Sequence, residues 1–235
     1  MKLYCILGGI LLVSSSAFAA PCLTGTLQDY VNLGTVGCQN GVVTFSGFVA
    51  APGQNGATVI PLTQVLVNPG GGQFMPTFQF TLNQTANPGQ LFESFFRFKA
   101  SNSQLIGAKV GLNSPIATGD GAVTASLDIC PGALFSGNSP TGCANSVSLI
   151  SVATSGFSML SDSASLPLSS FFDVFTDLSV DGGLGGGSAR FNSASVTIQA
   201  TPEPSAQQLM LAGLAMLTLF GIRRNTLTGG NNESN

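Results

Sequence analysis

Residues 122–129 read AVTASLDI, and this alternation decides the fold. Val123, Ala125, Leu127 and Ile129 point to one side while Thr124, Ser126 and Asp128 point to the other, the two-residue period of a half-buried strand. Runs of the same character recur along the chain: GVVTFSGFV (41–49), PTFQFTL (76–82), SFFRFKA (94–100), SVSLISV (146–152), FFDVFTDLSV (171–180) and SASVTIQA (193–200). All are short, rich in Val, Phe, Thr and Ser, and bounded by turns containing Gly, Pro or Asn. Seven or more such strands predict a mainly β chain folded as an antiparallel β-sandwich, jelly-roll-like in type. Two stretches read as helical. One is LTGTLQDYVNL (23–33), with Leu27, Tyr30 and Val31 at helical spacing, and the other is the C-terminal tail.

The composition narrows function by exclusion. The chain has 235 residues, room for one ordinary domain once terminal signals are subtracted. Charged residues are only 7% of it, against roughly 25% in typical soluble proteins. The net charge is −3, and no run of Lys or Arg occurs outside Arg223-Arg224, so nucleic acid is excluded as an expected partner. Histidine is absent, which removes the commonest general base and the commonest metal ligand together. No catalytic residue, metal or cofactor is expected.

The N-terminus reads as a secretory signal over residues 1–19. Lys2 precedes the apolar run LYCILGGILLV, and Ala17-Phe18-Ala19 supplies the small residues that a signal peptidase needs, predicting cleavage before Ala20. Pro21, directly before Cys22, argues against a lipoprotein signal. Cys5 leaves with the signal, and Cys22, Cys38, Cys130 and Cys143 remain. Four cysteines allow three connectivities. Local pairing, Cys22 with Cys38 and Cys130 with Cys143, is favoured because CLTGTLQDYVNLGTVGC and CPGALFSGNSPTGC are rich in turn formers. On the chain-entropy account each closure contributes roughly 3 kcal/mol. A metal site would need tight Cys-x-x-Cys pairs or histidines.

Other candidate motifs resolve to structure. DGGLGGGSA (181–189) lacks the Gly-Lys-Ser/Thr of a phosphate loop and leads into a strand, so it reads as a flexible hairpin connection. Asp173, Asp177 and Asp181 are spaced by four. On a strand the first two stand about 13 Å apart, too far to grip one ion, and they read as solvated surface carboxylates. Eight acids lie in the body (Asp29, Glu93, Asp120, Asp128, Asp162, Asp173, Asp177, Asp181), and no pair stands out. Phe92, Phe95, Phe96 and Phe98 cluster around Glu93, Arg97 and Lys99. On a strand Phe96 and Phe98 face the core while Arg97 and Lys99 point outward.

The tail from Thr201 reads TPEPSAQQLMLAGLAMLTLFGIRRN. Leu209–Ile222 gives fourteen mostly apolar residues, about 21 Å of helix against a hydrocarbon core near 30 Å. Arg223 and Arg224 act as a membrane stop that holds the C-terminus in the cytoplasm. Pro202 and Pro204 keep the preceding segment extended and accessible to a protease.

Pro202-Glu203-Pro204, then Ser205, a short Leu- and Gly-rich helix and a basic stop, resembles the PEP-CTERM sorting signal of Gram-negative bacteria over residues 202–224. The polar extension NTLTGGNNESN (225–235) is longer than is usual for that signal. The resemblance implies recognition by an exosortase, a transient stay in the inner membrane, and transfer to the cell surface or beyond, in association with exopolysaccharide or biofilm matrix. The organisation expected is therefore a signal peptide (1–19), an exported β-sandwich (20–200), a sorting signal with a short transmembrane helix (201–224) and a polar cytoplasmic tail (225–235). The body's Cys-bounded start and its last strands also resemble a recurrent passenger of such signals, one that carries no known activity. A carbohydrate-binding module or adhesin is the alternative role. An enzyme would need two carboxylates at glycosidase spacing on one open face.

Overall fold

The computed structural model describes residues 19–53 and 56–202, and the predicted tail helix and all but the last residue of the predicted signal peptide lie outside them. Within that range the chain is mostly antiparallel β-sheet with one short α-helix. The body begins with β1 (Gly25–Thr26) and α1 (Leu27–Asn32). A capping box starts the helix: Thr26 Oγ1 accepts from the Asp29 N–H, and the Asp29 carboxylate accepts from the Thr26 N–H at 2.7 Å. The helix buries Leu27 and Tyr30, two of the three residues whose spacing marks it.

Next come β2 (Cys38–Asn40), β3 (Val43–Ala50), β4 (Thr58–Val59), β5 (Leu66–Gly72) and β6 (Met75–Ala86). Two long strands dominate the rest, β7 (Leu91–Asn113) and, after β8 (Ile116–Thr118), β9 (Ala122–Pro131), β10 (Val147–Thr154) and β11 (Ser158–Met159), the strand β12 (Ser161–Asp181). The closing strand is β13 (Ser188–Ala200).

The two long strands pair with each other from Leu91↔Asp181 to Gly111↔Ser161, with register shifts on either side of Ser169. At those shifts the two-stranded ribbon turns over and changes layer. One layer carries β2, β3, residues 91–101 of β7, residues 171–181 of β12, β9, β10 and β11. The other carries β1, β5, β6, β13, residues 105–113 of β7 and the start of β12. The layers pack face to face through rings: Phe45 lies 4.5 Å from Phe78, and Phe80 lies 5.0 Å from Phe96, all between strands that do not pair. Ser151 Oγ of β10 also donates across the interface to the Val110 carbonyl at 3.2 Å.

Phe78 sits at the centre, edge-on to Tyr30, Phe45 and Phe48 and tilted against Phe80. Each buried Phe contributes roughly 1.5–3 kcal/mol by leaving water, and nine phenylalanines are almost fully inside. Both local disulfides are closed, Cys22–Cys38 and Cys130–Cys143. The first holds the N-terminal segment beside β2, where the Cys22 N–H donates to the Gln39 carbonyl at 2.9 Å.

Thr176 breaks the apolar pattern of the inner face of β12. It is fully buried, pairs with Phe96 and Leu127, and its hydroxyl has no hydrogen-bond partner. An unpaired buried hydroxyl opposes folding, so Thr176→Val, which keeps the branched shape, should raise stability by about 1–2 kcal/mol. Equilibrium denaturant unfolding measures this, and a loss of stability would show that the hydroxyl is bonded in solution.

Candidate functional site

The outer face of the first layer carries most of the body's charge, and strand register builds it row by row. Lys99 lies beside Asp173 and then Cys130; Arg97 beside Phe175 and Asp128; Phe95 beside Asp177 and Ser126; Glu93 beside Ser179. The loop closed by Cys130–Cys143 folds over this face. Its Phe135 meets Phe175 edge-on at 5.3 Å, Phe175 stacks on Phe95, and with Ala51 and Cys130 they form a second, smaller core outside the sandwich.

Asp173 and Asp177 therefore correct the expectation of solvated carboxylates. Asp173 is 2% exposed. Its carboxylate accepts from Arg97 Nε at 2.7 Å and from Arg97 Nη2, and Oδ2 also accepts from the Phe135 N–H at 2.7 Å. Arg97 donates onward to the Gly137 and Phe135 carbonyls, and its guanidinium lies 5.3 Å from the centre of the Phe175 ring. This is the one ion pair among the described residues, and it ties the disulfide loop to the sheet. Alternation assigned the two aspartates to the outward face correctly. It could not report that a loop covers that face.

A carboxyl pair, absent from the sequence reading, lies two residues along. Asp177 faces Glu93 diagonally across the ribbon, and Glu93 is only 5% exposed. Burial pushes the Asp177 carboxyl up to about 7, helped by the charge of Glu93, a hydrogen bond with it, and the charge of Asp128. Two carboxyls can hydrogen-bond only while one holds a proton. Nothing in the local sequence marks this pair, because Glu93 and Asp177 meet only through long-range register.

Asp120 is the second residue the sequence reading missed. Its carboxylate accepts from the N–H groups of Leu184 at 2.8 Å, Gly187 at 2.9 Å and Gly185, and these bonds, Gly185 foremost, lower its pKa. The glycine loop 182–187 is thus pinned, which corrects its reading as a flexible connection. Gly183 has φ +73°, and a Cβ there would collide with the Asp120 carboxylate, so glycine is required by both conformation and space. The only local hint is an aspartate set between Gly119 and Gly121.

A cleft of about 210 Å³ opens between this face and β3, lined in part by Gly47, Val49, Lys99, Leu134 and Asn138. The bulge in β3 between Ser46 and Val49, with Gly47 at φ +62°, makes the opening. Lys99 holds its ammonium 4.3 Å from the centre of the Phe171 ring. Among the described residues no group of His, Cys, Asp and Glu is arranged to hold a metal ion. No helix among them is long and apolar enough to cross a membrane. Of the expected sorting residues, Pro202 is the last one described and is exposed; Glu203, Pro204, Arg223 and Arg224 lie outside the described residues.

The body is thus a two-layer antiparallel β domain with two disulfides and a charged, partly covered outer face. Its last strand ends at Ala200, where the compact unit also ends. Residues 200–225 match the family model of the PEP-CTERM protein-sorting motif, so the chain carries a PEP-CTERM sorting signal. The motif supports an exported protein sorted by exosortase. No curated protein matches the chain. One similar solved structure is described as the structural basis for the promiscuous specificity of carbohydrate-binding modules from the β-sandwich superfamily. It is 9% identical, with a TM-score of 0.23, over 79% of this chain and 62% of that one. The chain thus spans less than two thirds of that structure's length, and a likeness at this score is no guide to fold or ligand.

The carboxyl pair makes stability depend on pH. The folded pKa of Asp177 lies above its ordinary value of 3.8, so between about 4 and 7 the folded state binds more protons than the unfolded state. Its contribution is present at low pH and is lost as the pH rises through about 7. Asp177→Asn, uncharged at every pH, should leave stability little changed near pH 4 and raise it at pH 8. Thermal melts at both values measure this, and an equal shift at both would reject a shared proton.

Proposed function

We propose that this protein is exported by its signal peptide, held briefly in the inner membrane by its C-terminal segment, and released or transferred to the cell surface or extracellular matrix by exosortase. The supporting observation is the PEP-CTERM motif at residues 200–225, which starts where the folded body stops at Ala200. Two prolines flanking one glutamate, Pro202-Glu203-Pro204, suit a protease, because proline disfavours both helix interiors and sheet ladders. In this reading the body is a structural or interaction protein without catalysis, jelly-roll-like in its two-layer build, and exopolysaccharide is its candidate matrix partner. The carboxyls of Glu93 and Asp177 touch each other in a covered site, whereas a glycosidase pair needs room for a sugar between them. The acidic net charge of the chain gives no attraction for nucleic acid.

A second reading, a carbohydrate-binding or adhesin module, is favoured by the cleft at Lys99. It combines apolar walls with the Lys99 ammonium on strand β7 and the Asn138 amide on the disulfide loop.

Mass spectrometry of the mature protein from its native host, with and without active exosortase, tests the sorting reading. Loss of the chain beyond Pro202-Glu203-Pro204 only when the enzyme is active is the expected result. A C-terminus at Asn235 in both strains would mean that the tail is a lasting anchor.

A further inference from the structure

Only four cationic side chains lie between residues 20 and 200: Arg97, Lys99, Lys109 and Arg190. Two of them, Arg97 and Lys99, line the same cleft, in a chain whose net charge is negative. Their situations differ. Arg97 is committed to Asp173 and to the Phe135 and Gly137 carbonyls. Both oxygens of Asp173 are in turn taken by Arg97, and Oδ2 also by the Phe135 N–H, so Asp173 is neutralised where it stands. Lys99, directly across the ribbon, makes no ion pair among the described residues and rests on the Phe171 ring. The cleft therefore presents one uncompensated positive charge.

Its surroundings suit a ring-bearing anion. Val49 and Leu134 are 50% and 59% exposed at the walls, an apolar surface for the C–H face of a sugar ring. Asn138 adds an exposed amide at the rim. The floor is rigid, since β7 is paired on both sides and the disulfide loop is tied down through Arg97. A cation fixed over an aromatic ring loses little further freedom when an anion arrives.

We propose that this cleft binds the carboxylate of an acidic saccharide, a uronic acid unit, with Lys99 as the binding cation and Arg97 as the positioning residue that neutralises Asp173. The proposal rests on the carbohydrate-binding reading and names the substrate class of that same site.

Titration calorimetry of the exported protein with trigalacturonate, its methyl ester and neutral maltotriose provides the test. Trigalacturonate should bind, and Lys99→Gln should weaken it about tenfold, the order expected for losing one charge-assisted hydrogen bond. Lys109→Gln, the same charge change at an exposed position in the other layer, should leave it unaltered. Binding of the methyl ester or maltotriose as strong as that of the acid, or equal losses in the two lysine variants, would overturn the acidic ligand and leave carbohydrate binding standing. Failure of all three sugars would remove both.

Discussion

The pairing of β7 with β12 is the constraint on which the rest of the body depends. Both layers contain this ribbon, so its register fixes how the two are joined. A slip of one residue would exchange Phe96 and Phe98 with Phe95 and Arg97, or Phe172 and Val174 with Asp173 and Phe175, sending one strand's charged face inward. The shifts around Ser169 are as necessary as the pairing, because a straight ribbon of this length could not close two layers on one core. The ring cluster about Phe78 then rewards the folded-over arrangement, since its members come from both layers and from α1.

The same register creates the outer face. Alternation on a strand gives two faces, and ordinarily the second is left to water. Here the outward residues of β7 and β12 include Phe95 and Phe175 as well as acids and Arg97, too apolar to be left bare and too charged to be buried without partners. The disulfide loop 130–143 meets both demands. Phe135 covers the rings, while its N–H and carbonyl join the Arg97–Asp173 pair. Removing one partner from such a pair leaves an uncompensated charge, so the ion pair and the loop that covers it depend on each other.

How far this was legible in the sequence follows from the range of each interaction. The strands, the helix at Leu27 and the local disulfides depend on residues close in the chain, and their signals are periodicity, capping and turn composition. The inward set Val123, Ala125, Leu127 and Ile129 is buried as its alternation predicts. The carboxyl pair Glu93–Asp177, the clamp of Asp120 on the glycine loop and the cover over Asp173 depend on residues 38 to 84 apart in sequence, and no local pattern encodes them. The sorting motif is the opposite case. It is matched within one continuous segment, residues 200–225, so its information is entirely local.

That contrast separates two kinds of function in one chain. A sorting signal must work whatever domain precedes it, so it has to be short and independent of register. The body's chemistry has to come from register, because a chain with few charges can concentrate them only by folding. Lys99 and Arg97 lie two residues apart on one face of β7, yet the fold gives them opposite roles. Asp173 lies nearest Lys99 in the ladder, but Arg97 wins it with a planar fork that binds both carboxylate oxygens, which an ammonium cannot match. Lys99 is thereby left with an aromatic ring and solvent, and the free charge of the cleft is a consequence of arginine outcompeting lysine for one aspartate.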